Sequence, residues 1–260
     1  METDSPPAPA TEQRQPTLWN DPAARFYLEA IQLSDYEQRV GGCLRALLGG
    51  GSSLLDIGAG SGVPGAALLS PGGHWTTLEP NGLLADYLAG RPERPEVHAQ
   101  PWQALEGLGV QPHELVLAAN MPGPLDDPGA FLDALMPLAT RAVAWVVPAQ
   151  RGPKRYCLAD FLPADLHGED CLPAVAQVLE KLPSGQQPAV MREVDWTFTG
   201  RFPSREAARA HFEERFNPSG WGRVSRVIHD RLDALVASED GALHISVPKR
   251  SACLVWWQSP

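Results

Sequence analysis

The sequence predicts an α/β fold: a doubly wound, Rossmann-like, mostly parallel sheet with helices on both faces. Three observations predict it. Short apolar runs at residues 53–57, 75–78, 96–99, 115–119 and 142–147 alternate with stretches of helical spacing such as 82–88 and 128–138, the order that crossover helices impose on a parallel sheet. The first run ends in a glycine-rich turn that opens a helix around residues 66–69, where open α/β sheets hold a ligand. The last two strand-like runs, 242–247 and 252–257, are joined by Pro248-Lys249-Arg250-Ser251. That link is short enough for a hairpin, so one final strand should run antiparallel.

The elements follow in order. Residues 1–17 lack an apolar core and carry Pro6, Pro7, Pro9 and Pro16, which reads as a disordered tail rather than a secretory leader or a folded element. Over residues 18–49, Phe26, Ile31, Leu33, Val40, Leu44, Leu47 and Leu48 recur at helical spacing. Asp21 before Pro22 supplies one helix start, and Ser34 before Asp35-Tyr36-Glu37 a second. Beyond Pro148 the chain is irregular, with Pro153, Pro163, Pro173, Pro183 and Pro188 spaced along it. A strand at 194–199 and helices at 205–216 and 223–238 follow. We expect one domain over residues 18–260, in which an inserted segment at about 150–225 caps the active site.

Composition narrows the function. A hydrophobic content of 43% with 20% charged residues is that of a globular chain. With 31 acidic against 21 basic residues the net charge is -10, so a nucleic-acid or anionic-membrane partner would need a local basic patch. No DNA or membrane partner is expected. Cys43, Cys157, Cys171 and Cys253 contain no Cys-x-x-Cys pair, which suggests reduced thiols in a cytoplasmic protein and no metal site.

The motif that carries chemistry is Leu54-Leu55-Asp56-Ile57-Gly58-Ala59-Gly60-Ser61-Gly62. A strand ending in an acid, followed by alternating glycines, lets a ligand approach backbone where a Cβ would collide with it. Asp56 can accept from a ligand amine, or fix the turn by accepting from backbone N–H groups. Glu79 ends the second strand in Leu78-Glu79-Pro80, beside the first loop, at a distance suited to both ribose hydroxyls of an adenosine. Gly60-Ser61-Gly62-Val63-Pro64-Gly65 also matches the dinucleotide fingerprint. Against that rival, Asp56 would repel a diphosphate and Pro64 removes an amide donor.

This pattern, with the terminal strands, resembles the class I S-adenosylmethionine-dependent methyltransferases, specifically a poorly characterised bacterial and archaeal subgroup. The resemblance covers residues 50–150 by motif and implies a seven-stranded sheet with an antiparallel final strand. It implies that Asp56, Gly58, Ala59 and Gly60 bound the methionine and ribose pocket, and that Glu79, with Pro80 beside it, takes the ribose diol. Gln100 and Trp102, in Ala99-Gln100-Pro101-Trp102, would face the adenine; Gln100 stands where many members carry Asp. Asn120 begins Asn120-Met121-Pro122-Gly123-Pro124, which departs from the Asp/Asn-Pro-Pro-aromatic motif of amino-directed DNA methyltransferases and disfavours a DNA base as acceptor.

Other residues have plainer readings. Trp19, Tyr27 and Tyr36 suit a lid over the cofactor, although aromatics at helical spacing are more often core. His98, His113, His167, His211 and His229 show no ligand spacing and read as solvated or capping side chains. Arg151, Lys154 and Arg155 read as a solvated loop, with recognition of an acidic substrate as the minority reading. Trp256 and Trp257 should pack in the last strand and at its edge, with an interface as the reading for an exposed one. The expected function is methyl transfer from S-adenosylmethionine to a small-molecule substrate, with no catalytic residue assigned. A protein or RNA acceptor and a non-catalytic binding protein are the alternatives.

Overall fold

The computed structural model describes residues 20–121, 124–153, 156–163, 172–216, 221–235 and 241–258. The expected tail, Trp19, Lys154, Arg155, His167 and Cys171 lie outside them. The described strands are β1 (Gly51–Ile57), β2 (Leu69–Leu78), β3 (Glu96–His98), β4 (His113–Ala119), β5 (Ala139–Pro148), β6 (Val190–Phe202) and β7 (Leu243–Trp257). They form a 7-stranded sheet in the order β3-β2-β1-β4-β5-β7-β6. The first five pair in parallel, and β7 runs antiparallel to both β5 and β6. β6 therefore runs with the first five, and β7 alone is reversed. The order turns back at β1, so the crevice between the loops after β1 and β4 is the switch point where such sheets take ligands.

The central strands are apolar on both faces because both are covered. Leu54, Leu117, Ala144 and Val255 pack with Ile31 of α1 (Asp21–Leu33), Leu44 of α2 (Gly42–Leu48) and Leu68 of α3 (Val63–Leu68). On the other face, Leu55, Ile57, Val116, Val143 and Trp145 pack against Phe131 of α6 (Pro128–Leu135) and Val178 of α7 (Ala174–Lys181). α4 (Gly82–Ala89) and the short α5 (Leu105–Leu108) flank β3 in sequence. Helix starts follow local chemistry: Asn81 accepts from the Leu84 N–H and Asp127 from the Ala130 N–H.

Three details differ from the sequence expectation. Asn20, not Asp21, caps α1 by accepting from the Ala23 N–H. Ser34 closes α1 by donating to the Ala30 carbonyl instead of opening the next helix, which the chain enters through a π-turn at Glu37–Gly41. Ser34 Oγ also accepts the Thr199 N–H at 2.9 Å, and Asp35 Oδ1 the Thr197 N–H at 2.6 Å. These two side chains thereby cover part of an edge strand that would otherwise offer free donors.

The expected terminal hairpin is corrected: residues 243–257 form one continuous strand of 15 residues. Pro248 is tolerated because its partner Thr197 donates its N–H to Asp35, away from β7. The missing N–H of Pro248 therefore falls on the side of β5, whose pairing with β7 ends three residues away at the Pro148–Ser251 pair.

The expected cap at 150–225 is divided among several structures. Tyr156, Leu158, Phe161 and Leu162 pack with the α1 face, α7 covers the opposite face, and β6 joins the sheet. The helical insertion is α8 (Arg205–Phe216) and α9 (Trp221–Asp233), between β6 and β7. Because β6 runs with β1–β5, this insertion leaves the sheet at the carboxyl ends of the parallel strands.

Candidate functional site

After β1 the backbone folds back on the end of β2, with the Gly58 and Ala59 N–H groups donating to the Leu78 carbonyl at 2.7 and 3.2 Å. Gly60 has φ +57, and a Cβ there would lie 3.3 Å from the Tyr27 hydroxyl. Gly58 is similarly close to Met121, at 3.1 Å from its Cβ. The two glycines thus bring bare backbone under the Tyr27 phenol and the Met121 thioether.

Glu79 holds this turn. Its Oε2 accepts from the Gly60 N–H at 2.8 Å and its Oε1 from the Asn81 N–H at 2.9 Å, and the residue is buried. Burial raises its pKa against the lowering effect of the two N–H donors. Each oxygen keeps further acceptor capacity toward a ligand.

Asp56 departs from expectation as a turn-fixing acceptor. Among the described residues no group donates to either carboxyl oxygen in good hydrogen-bonding geometry, and the residue is 1% exposed. Its Oδ2 faces Gly65, where a Cβ would sit 2.3 Å away, and the Trp75 indole packs at the same place. Burial, and then the neighbouring Glu79 charge, push its pKa up to about 8, against a lowering by Arg91 and by the adjacent Trp75 indole. Arg91 is divided among three neighbours: it donates to the Ser61 carbonyl, pairs with Glu93 at 3.1 Å and stacks over Trp75. The acid thus lies enclosed beneath the turn, in space that the missing Cβ of Gly65 leaves free.

The remaining predicted positions sit at neighbouring strand ends. Pro80 is exposed beside Glu79, and Ala59 is buried in the turn. Gln100 is exposed just past β3, its N–H donating to the His98 carbonyl. Trp102 is half-buried and meets Phe131 edge-on, 5.0 Å between centroids. Asn120, at the end of β4, has φ +48, a conformation unusual outside glycine. Its Nδ2 donates to the Tyr36 hydroxyl at 2.8 Å and to Ser251 Oγ at 3.2 Å, and the Trp196 indole donates to the same Ser251 Oγ at 3.0 Å. Tyr36 is therefore core, buried against Trp196, while Tyr27 reaches the turn and contacts Ser61 Oγ at 3.3 Å. Burial pushes the Tyr27 phenol up to about 12, so it stays neutral.

Several groups at this end escaped sequence reading. Phe26 of α1 fills the space over Gly200 of β6 and stacks on Phe202. His211 of α8 packs against both rings and is hydrogen-bonded to the Tyr156 hydroxyl. Burial, with Arg215 nearby, lowers the His211 pKa to about 3, which corrects its reading as a solvated or capping residue. At the opposite, amino edge of the sheet, His113 is buried and bonded to Thr76 and to the Gln111 carbonyl. Lys249, inward on β7, pairs with Asp160 at 2.6 Å. Its signal was a charge at the inward parity of Leu243, Ile245 and Val247, hidden while Pro248–Ser251 was read as a turn. The Phe26, Tyr156 and His211 contacts join segments far apart in sequence and left no local trace.

Among the described residues no group of three or more His, Cys, Asp or Glu side chains is arranged to hold a metal ion. No described helix is long and apolar enough to cross a membrane.

No family profile and no curated protein matches the chain. Among solved structures it is similar to a candidate methyltransferase from Bacillus halodurans C-125, at 10% identity, covering 85% of this chain and 99% of that one, with a TM-score of 0.47. It is also similar to a SAM-dependent O-methyltransferase from Thermotoga maritima, at 16% identity over 85% of this chain and 66% of that one, TM-score 0.42. A third is the cyclopropane synthase MmaA2 from Mycobacterium tuberculosis, at 12% identity over 82% of each chain, TM-score 0.44. At such identities and TM-scores these are likenesses in outline, and the functional reading rests on the residues at the carboxyl edge of the sheet.

Proposed function

We propose that the protein is an S-adenosylmethionine-dependent methyltransferase acting on a small-molecule acceptor. The observation that carries this reading is the glycine turn at the switch point, tied through Gly60 to the buried carboxylate of Glu79 at the next strand end. The Glu79 carboxylate beside the turn disfavours a diphosphate and favours a ligand with a ribose diol and positive charge. The residues fit such a ligand. Gly58 and Gly60 leave backbone accessible, the side chains over them are a thioether and a phenol able to swing aside, and Glu79 has acceptor capacity left.

When bound, the cofactor supplies an activated sulfonium methyl. In this reading Glu79 accepts from the ribose hydroxyls, while the Gln100 amide and the Trp102 ring serve the adenine. Gly58, Ala59 and Gly60 bound the methionine end, with Pro80 beside the ribose. Asn120, its amide held by Tyr36 and Ser251, lines the crevice at the end of β4 in this reading. Positioning and exclusion of water account for much of the rate in such a displacement. α1, with Tyr27 over the turn, and the α8–α9 insertion supply walls at this end. These walls, together with the net charge of -10, support a small acceptor over RNA.

Calorimetry with S-adenosylmethionine, S-adenosylhomocysteine and NAD tests the cofactor. Binding of the two sulfur ligands without NAD is expected; NAD binding alone overturns the proposal. A methyl-transfer screen with radiolabelled cofactor against small phenols, amines, thiols and carboxylates tests the acceptor, with labelling of RNA or protein alone as the contrary result.

A further inference from the structure

Asp56 is the one buried acid beneath the turn that the proposed mechanism leaves without a task. We infer that Asp56 sets the preference of the glycine-turn site for a cationic ligand over its uncharged counterpart, staying protonated in the free protein and releasing its proton when positive charge binds at the turn. This inference rests on the cofactor reading above. Its ground is geometric: the carboxyl group is enclosed against Gly65 and Trp75, no described residue donates to it in good hydrogen-bonding geometry, and only the adjacent Trp75 indole favours its charged form as a donor. Ionising it there means holding an unsolvated charge beside the Glu79 carboxylate, which strongly favours the neutral acid.

The charged and titratable surroundings are few. Glu79 faces it from the end of β2, and Arg91, beyond α4, opposes that charge. Arg91 is itself shared with Glu93 and the Ser61 carbonyl. Tyr27 of α1 is neutral, and α3, with the sequence VPGAAL, contributes no charge. The balance therefore has room to tip when positive charge is added.

The pKa of about 8 in the free protein puts the transition within working range. Both sulfur ligands carry an ammonium group and a carboxylate, but only S-adenosylmethionine adds a sulfonium. Its added positive charge favours the Asp56 carboxylate: the acid O–H bond breaks, the electron pair stays on oxygen and the proton passes to solvent. The product, lacking that charge, loses this stabilisation, which favours its release.

Titration calorimetry of the wild-type protein with each sulfur ligand, in phosphate and in Tris at pH 7.5, counts the protons released. S-adenosylmethionine should release more than S-adenosylhomocysteine. Its affinity should tighten between pH 6.5 and 8.5 by more than that of the product, and by at most about tenfold per pH unit for one proton. Asp56→Asn should abolish the difference in proton count. Equal release for the two ligands, or a difference that persists in Asp56→Asn, overturns the inference while leaving the cofactor reading intact. Binding of neither ligand overturns the cofactor reading and this inference with it. The wild-type contrast stands even if the variant fails to fold.

Discussion

At Glu79 the two oxygens already accept the N–H groups of Gly60 and Asn81, so a substitution acts on the turn as well as on a ligand. Glu79→Ala leaves two N–H groups without their acceptor and is expected to cost about 1–3 kcal/mol of stability, read by urea denaturation, and to weaken cofactor binding. Glu79→Gln keeps one oxygen and should cost less in stability. Asp56 and His211 give stability opposite slopes with pH. Asp56 titrates higher folded than unfolded, so its contribution is complete below about pH 4 and is lost as pH rises through about 8. His211 titrates lower folded than unfolded, so its contribution is complete above about pH 6.5 and is lost as pH falls toward about 3. Between about pH 4 and 6.5 the two slopes oppose one another. From about pH 6.5 to 8 the Asp56 slope should remain: wild-type stability declines there, and Asp56→Asn flattens that part of the curve in urea titrations at stepped pH. An unchanged slope in the variant would remove Asp56 as its source.

The N-terminal helices and the long last strand show what single elements contribute. α1 spans from the glycine turn, which Tyr27 meets, to the edge strand β6, where Ser34 and Asp35 take the Thr199 and Thr197 N–H groups. Replacing both with Ala should release those donors and cost about 1 kcal/mol per bond. Hydrogen exchange should quicken at Thr197 and Thr199 more than at β1; exchange that quickens uniformly would argue against a local clasp. On β7, Lys249 is almost enclosed while its partner Asp160 is partly exposed. Lys249→Met is therefore expected to cost about 2–3 kcal/mol, below the 3–5 of a fully enclosed pair. Changing Asp160→Leu in the same chain should recover part of that loss in thermal melts, because it removes the stranded charge.

For the whole molecule, the strand–helix alternation and the turn at Asp56 to Gly62 were legible in sequence because they are local. A central strand must be apolar on both faces, and a close-approach turn needs glycine, so these requirements appear as consecutive residues. Glu79 was legible for the same reason, as an acid at a strand end. The length of β7 was not legible: Pro248 signals a break wherever its missing N–H would face a partner, and only the sheet order, with β5 ended and Thr197 turned to Asp35, makes it harmless. Nor was the fate of individual polar residues legible. Asp56 and Glu79 are both acids at strand ends, yet packing against Gly65 and Trp75 encloses one without a backbone donor, while the Gly60 and Asn81 N–H groups satisfy the other. His211 likewise became a half-buried, neutral ring through Phe26, Phe202 and Tyr156, contributed by other elements. The sequence by itself determined the layered fold and the glycine turn, since both follow from periodicity and backbone freedom over a few residues. The tertiary structure decided which acids and rings are charged, satisfied or enclosed, because desolvation depends on neighbours that only folding brings together.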